Sequence, residues 1–217
     1  RQFCKRPCFH DDYLPAFNRP NVELIDTDGQ GIDRITETGV VANGIEYELD
    51  CIVFATGFEV GTGYSRRSGY EIYGREGASL TERWSEGART LHGMQSHGFP
   101  NSFMLGHIQT GFTPNYPHAL NEQSKHIAYI IKHCLDGNQR IVEASEEAET
   151  EWVNTIIKLA RDSQKFLADC TPGYYNNEGK PQERALQDSN YGAGSEAFFK
   201  ILREWRDEGS LAGLELS

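Results

Sequence analysis

The 217-residue chain is short of basic charge: 21 Lys and Arg stand against 32 Asp and Glu, a formal net charge of −11. A nucleic-acid partner wants a basic surface, so none is expected. No apolar run approaches the roughly 20 residues of a membrane-spanning helix, and no membrane partner is expected. No signal peptide is expected. Cysteine is sparse, with Cys4, Cys8, Cys51, Cys134 and Cys170 scattered along the chain. That usage suits a reducing, cytoplasmic compartment better than a disulfide framework. Three residues separate Cys4 from Cys8, which is neither a redox Cys-x-x-Cys nor a complete zinc site, so both read as plain thiols. No Gly-x-Gly-x-x-Gly follows a strand. The chain opens at Arg1, without Met, inside what reads as a β-rich segment. The expectation is the C-terminal part of a longer protein.

What is present is organised around Asp50-Cys51-Ile52-Val53-Phe54-Ala55-Thr56-Gly57-Phe58. Ile52 to Phe54 form an unalternated apolar run, which predicts a strand covered on both faces, as in a parallel sheet. Gly57 lets the chain leave that strand where another backbone or a cofactor comes close. Any buried strand that ends in Gly carries the same signature.

Upstream, Asp11 to Pro20 predicts a short helical turn and a loop, and Asn21 to Asp26 alternates as a strand does. Residues 32–38, 40–42 and 45–49 predict short antiparallel strands, with Asn43-Gly44 as the strongest hairpin signal. Residues 59–98 predict loops, with one helical turn at 79–84. Phe103 to Leu105 predicts a second buried strand, followed by a Gly/Pro/Thr/Asn loop to Pro117. A helix then runs to about Cys134, with Leu120, Ile127, Ile130, Ile131 and Cys134 on its apolar side. A strand, a loop and a helix start at 103–117 favour a polar or anionic ligand edge, through free helix N–H groups. An ordinary connection between strand and helix explains the pattern as well. A helix over 144–168 points Trp152, Val153, Ile156, Ile157 and Leu159 inward. A long loop over 171–194 is expected to be mobile or a lid, and a last helix over 195–208 has Ser195 as its N-cap and Gly209 as its stop.

In this order, the pieces resemble the C-terminal part of the Baeyer–Villiger monooxygenases. The resemblance rests on Lys5-Arg6, Asp12-Tyr13, Phe17-Asn18-Arg19-x-Asn21-Val22 and Asp50 through Phe58. It continues through Gly98-Phe99-Pro100-Asn101, Glu122-Gln123 and Tyr174 through Pro181. It implies an α/β fold: the C-terminal portion of a flavoprotein with two dinucleotide-binding, Rossmann-like domains, with a small β meander and a helical C-terminal part. Residues 1–50 would end the NADP-binding domain, and 51–217 would belong to the FAD-binding domain. The family's Gly-rich fingerprints and its own Phe/His/Trp motif would lie upstream, in a missing N-terminal part of the same protein.

The implied activity is insertion of one oxygen atom of O2 beside a ketone carbonyl, through a flavin C4a-peroxide, with FAD and NADPH as cofactors. The protein's task is to stabilise negative charge and exclude water. A permanently charged donor fork suits it, and Arg6 occupies the position of the family's catalytic Arg. Lys5 matches the lysine that meets the NADPH 2′-phosphate. The resemblance also places Asp50, Thr56 and Gly57 in the linking motif. It puts Gln109, Thr110, Asn115 and Tyr116 at the flavin ring, and Tyr174 in the loop over the nicotinamide cofactor. The sequence departs from the family's Gly-Pro-Gly-Ser-Pro-like loop at Gly106 to Gly111, and from its loop Trp at 171–175. Of the seven His residues, His107 and His118 are open to a base role or to polar packing. The alternatives are a flavin-dependent N- or S-oxygenase and a non-catalytic fragment, and the fragment alone is expected to be inactive.

Overall fold

The computed structural model describes residues 4–5, 8–56, 64–160, 169–170 and 186–217. The chain divides into two compact units, Arg1–Phe58 and Glu59–Ser217.

The first unit is built on a three-stranded antiparallel meander, β1 (Arg34–Ile35), β2 (Gly39–Ala42) and β3 (Ile45–Glu48). Its tight turn uses Asn43 at φ 53° and Gly44 at φ 75°, the left-handed pair that matches strand twist. Asn43 Nδ2 donates to the Asp26 carbonyl at 2.8 Å, and the Gly44 N–H donates to Asp33 Oδ2 at 2.9 Å. Val41 pairs with Glu46 and Ala42 with Ile45. The Thr36 and Thr38 hydroxyls donate to Glu46 Oε1 at 2.7 and 3.1 Å, and these bonds hold the Glu46 carboxyl below its usual range. A short helix, α1 (Tyr13–Ala16), fits the expected turn.

Two expected strands are not formed here. Residues 22–27 carry no strand pairing. Residues 51–56 are extended but unpaired, with Val53 82% and Phe54 70% exposed. A strand buried on both faces needs neighbours on each side, and none of the described residues supplies one. Asp50 and Thr56 therefore lie exposed in an open stretch.

The second unit is mainly helical. It contains α2 (Tyr64–Ser68), a 3-10 turn (Arg75–Gly77), α3 (Leu80–Arg83), α4 (Tyr116–Asp136), β4 (Val142–Ala144) and α5 (Glu146–Leu159). A 3-10 turn (Leu186–Asp188), α6 (Ser195–Glu208) and β5 (Leu214–Leu216) complete it. A capping box joins Ser79 and Glu82 at the start of α3, and the Ser145 side chain caps α5. Gly194, not Ser195, is the N-cap of α6, while Gly209 ends it in the left-handed conformation at φ 71° as expected. Strands β4 and β5 pair antiparallel. The core joins Leu91, Met94, Ala119 and Ala144 with Trp152 and Ile156 of α5 and Phe198, Phe199 and Leu202 of α6.

Phe103 to Leu105 is extended but forms no ladder; the Met104 N–H bonds the Met94 carbonyl and Leu105 is 52% exposed. The buried face of α4 keeps the expected Ile130 and Cys134, with Ile127 packed against the core, but it is completed by Ala119, Glu122, Gln123 and His126, and Ile131 faces out. Apolar periodicity misjudged the face because several buried positions are polar side chains with partners. Cys4 is disulfide-bonded, which corrects the thiol expectation for it; spacing along the chain carries no information on disulfide partners. Among the described residues no helix is long and apolar enough to cross a membrane, and no His, Cys, Asp or Glu cluster could hold a metal ion.

Candidate active-site loop

The loop from Gly106 to Asn115 carries three of the expected site residues, Gln109, Thr110 and Asn115, and Tyr116 follows as the first residue of α4. Gln123 projects from α4 and clamps Gly106 at both polar groups: Oε1 accepts from the Gly106 N–H at 3.0 Å, and Nε2 donates to the Gly106 carbonyl at 2.8 Å. The Thr110 hydroxyl donates to the same carbonyl at 3.0 Å, closing a turn.

Gln109 is wholly buried. Its Oε1 accepts from the Thr90 hydroxyl at 2.5 Å, and its Nε2 donates to the carbonyls of Ala88 at 2.7 Å and Gln187 at 2.9 Å. Its N–H donates to the Ser189 carbonyl at 3.0 Å, and its own carbonyl accepts from Trp152 Nε1 at 3.2 Å. Thr110, also buried, accepts from the Tyr191 N–H at 2.9 Å. Asn190 Nδ2 donates to the His107 carbonyl. Tyr191 stacks on Trp152, centroids 5.6 Å apart and planes 4° from parallel.

Two glycines permit this close packing. A Cβ on Gly93, at φ 74°, would lie 2.2 Å from Thr110 Cγ2 and 2.7 Å from the Ile108 carbonyl oxygen. One on Gly111 would meet Phe198 and Ser195 of α6 at 2.9 Å.

At the far end Asn115 is the N-cap of α4, its Oδ1 accepting from the His118 N–H at 3.3 Å, and Pro117 follows in the first turn. The helix start is thus capped by its own chain: Pro117 has no N–H, and that of His118 is taken. The free-donor argument for an anion there loses its force. What the loop does present is apolar surface, since Leu105 and Phe112 are each 52% exposed and Tyr116 37%. The loop therefore presents an open apolar edge and not a site for an anion.

The segment beneath the loop is held by a carboxylate that sequence reading missed. Glu149 on α5 is wholly buried; Oε2 receives Arg83 Nη2 at 2.5 Å and Arg89 Nε at 3.1 Å, and Oε1 receives the Ser96 hydroxyl at 3.1 Å and the His97 N–H at 2.9 Å. Nearby on β4, Glu143 binds Arg75 through Nε at 2.9 Å and Nη2 at 2.5 Å, which holds its carboxyl below the usual range. Neither Glu stands out in sequence, where both read as helix or strand surface.

The remaining expected residues lie elsewhere. Lys5, Asp50 and Thr56 are exposed and belong to the first unit. Arg6, Gly57 and Tyr174 lie outside the described residues. Of the histidines, His118 packs edge-on to Phe199 with centroids 5.3 Å apart.

No family model matches the chain. Among curated proteins, it is 55% identical to pentalenolactone D synthase of Streptomyces exfoliatus, over all of this chain and 37% of that protein. It is 45% identical to a Baeyer–Villiger monooxygenase of Stachybotrys chlorohalonatus, over 99% of this chain and 35% of the other. This chain is a segment of the Baeyer–Villiger monooxygenase family. The fold agrees: a polycyclic ketone monooxygenase from the thermophilic fungus Thermothelomyces thermophila superposes with a TM-score of 0.89 at 39% identity, covering all of this chain and 35% of that one. The solved OTEMO complex with FAD and NADP matches at a TM-score of 0.71 and 26% identity, over 99% of this chain and 39% of its own. The α/β assignment stands with these Baeyer–Villiger relatives. The chain spans little more than a third of the length of the curated relatives it matches.

Proposed function

We propose that the protein to which this chain belongs is an FAD- and NADPH-dependent monooxygenase that inserts one oxygen atom of O2 next to a ketone carbonyl, giving an ester or lactone. The observation that carries the proposal is 45% identity over 99% of the chain to a named Baeyer–Villiger monooxygenase. FAD, when bound, supplies the activation of O2; NADPH supplies the electrons.

This chain's residues would orient and stabilise. Arg6 would hold the developing negative charge, and Lys5 the 2′-phosphate of NADPH. The open edge at Leu105, Phe112 and Tyr116 would shelter the flavin ring from water, with Gln109, Thr110 and Asn115 in its supporting loop. Asp50, Thr56 and Gly57 would serve at the crossing between domains, and Tyr174 at the nicotinamide side. The end of the NADP-binding domain would run through residue 50, and the FAD-binding domain would follow. The rest of the protein would cover the exposed Val53 and Phe54, and this chain alone would be inactive. A cytoplasmic location belongs to the same proposal and rests on the scattered cysteines; cell fractionation tests it.

The test is the full-length protein with NADPH, air and a panel of cyclic and linear ketones, with NADPH followed by absorbance and product by gas chromatography. Ester or lactone in step with NADPH supports the proposal. Hydrogen peroxide alone, or oxidised amines and sulfides without ester, overturns it.

A further inference from the structure

We infer that Gln109 is a positioning residue that locks the apolar-edged loop 106–116 to the segment 186–191, with Thr90 as its fixed base. The inference rests on the proposed reading of that loop as the flavin's edge, and it gives Gln109 a part that needs no contact with the cofactor. Both hydrogens of the Gln109 amide and its oxygen are spent on Ala88, Gln187 and Thr90. Its backbone donor and acceptor are spent on Ser189 and Trp152. Five hydrogen bonds from one buried residue thus join three separate stretches of chain.

The backbone supports the same conclusion. Gln109 stands at φ 57°, a left-handed conformation that a residue with a Cβ seldom adopts. Such a conformation persists where its surroundings over-determine it. Here Gly93 packs so closely on Ile108, Gln109 and Thr110 that no Cβ fits between them. Thr90 is itself set, because its oxygen also accepts from the Gly93 N–H at 2.9 Å. Gly106 at the loop's beginning has its own clamp in Gln123. The two ends of the turn are therefore held by different side chains, Gln123 at Gly106 and Gln109 at the other end, where Gln109 makes two bonds to 186–191 beside the single ones from Asn190 to His107 and from Tyr191 to Thr110. Loss of that tie shifts Phe112 and Tyr116 relative to that segment while the Gly106 end stays in place. A shift of about 1 Å in a positioning element is enough to cost a reaction orders of magnitude in productive geometry.

The experiment uses the full-length enzyme and four variants, Gln109→Met, Gln109→Glu, Thr90→Val and Thr90→Ser. Per bound flavin, Gln109→Met and Thr90→Val are expected to lower the ratio of ester formed to NADPH consumed by about threefold or more, the balance appearing as hydrogen peroxide. Gln109→Glu, which keeps the acceptor for Thr90 and loses both donors, falls with them. Thr90→Ser, which keeps the hydroxyl, retains the wild-type ratio. Amide exchange is the second readout. The Gln109 and Tyr191 amides exchange about tenfold faster in Gln109→Met and Thr90→Val, while the Gly106 amide is unchanged. A lower melting temperature with an unchanged ratio per flavin and unchanged exchange overturns the inference, as does failure of Thr90→Ser to restore the ratio. If the wild type makes no ester, the functional proposal has failed, and the exchange measurements alone decide whether Gln109 is the lock.

Discussion

Acid should loosen the helical unit well before its carboxylates protonate. His92 and His126 are buried in the aromatic core with ring centroids 5.5 Å apart; His92 packs edge-on to Trp152 at 4.9 Å, and His126 lies 4.7 Å from Trp205. Burial lowers the His92 pKa from 6.5 to about 4. Burial, then His92 and Arg206, lower that of His126 from 6.5 to about 3. Both are therefore neutral in the fold, and His126 Nδ1 has no hydrogen-bond partner. The unfolded chain binds a proton at each below pH 6.5, so stability is fully present above that value and falls as pH falls. At pH 5 each unfolded histidine is almost fully protonated and each native one almost fully neutral, which costs about 2 kcal/mol per residue, or about 4 kcal/mol for the pair. The carboxylates Glu122 and Glu143 have depressed pKa values through Lys125 and Arg75 and lose stability in the same direction, but at lower pH. Their contribution is intact above pH 4.5 and is lost only below it, so the window from 6.5 to 5 belongs to the histidines. Urea unfolding of the full-length protein at pH 8 and pH 5, for wild type and a His92→Leu/His126→Leu double variant, isolates the pair. Wild type should lose about 4 kcal/mol more than the variant between the two pH values. Parallel losses would refute the reasoning.

Three further outcomes are expected. Glu149→Ala strands Arg83, Arg89, the Ser96 hydroxyl and the His97 N–H, and should cost about 3 kcal/mol by urea unfolding; a loss below about 1 kcal/mol would mean that water replaces the carboxylate. Arg6→Ala or Arg6→Lys in the full-length protein should abolish ester formation and leave flavin reduction by NADPH largely intact; a normal ester yield removes Arg6 from the chemistry. Lys5→Ala should raise KM for NADPH more than for NADH, and equal effects would separate Lys5 from the 2′-phosphate.

Local signals proved legible where a few adjacent residues decide the structure. Asn43-Gly44 announced its hairpin, residues 79–84 their helical turn, and Gly209 the end of α6. The apolar run at 51–54 misled because its burial depends on partners that the described residues do not contain. The face of α4 was misread for a different reason. Gln123 and His126 look like surface residues by type, and only the loop above them and the rings beside them make an inward place for them. The same holds for Glu149, whose four donors come from the stretch between residues 83 and 97. Long-range polar pairing leaves no period in a sequence. The resemblance to the family pointed to the loop at 109–116, but not to the side chains that hold it.

The amide of Gln123 offers Gly106 one donor and one acceptor, the same pair a peptide group in a neighbouring strand would offer. The helix thereby acts as a surrogate strand edge at a single point, and the chain leaving Gly106 is anchored without belonging to any sheet. For anyone grafting loops between these oxygenases, the exchangeable unit is then the loop after Gly106 together with its Gln109 seat, while Gly106 and Gln123 form a socket that should remain with the scaffold.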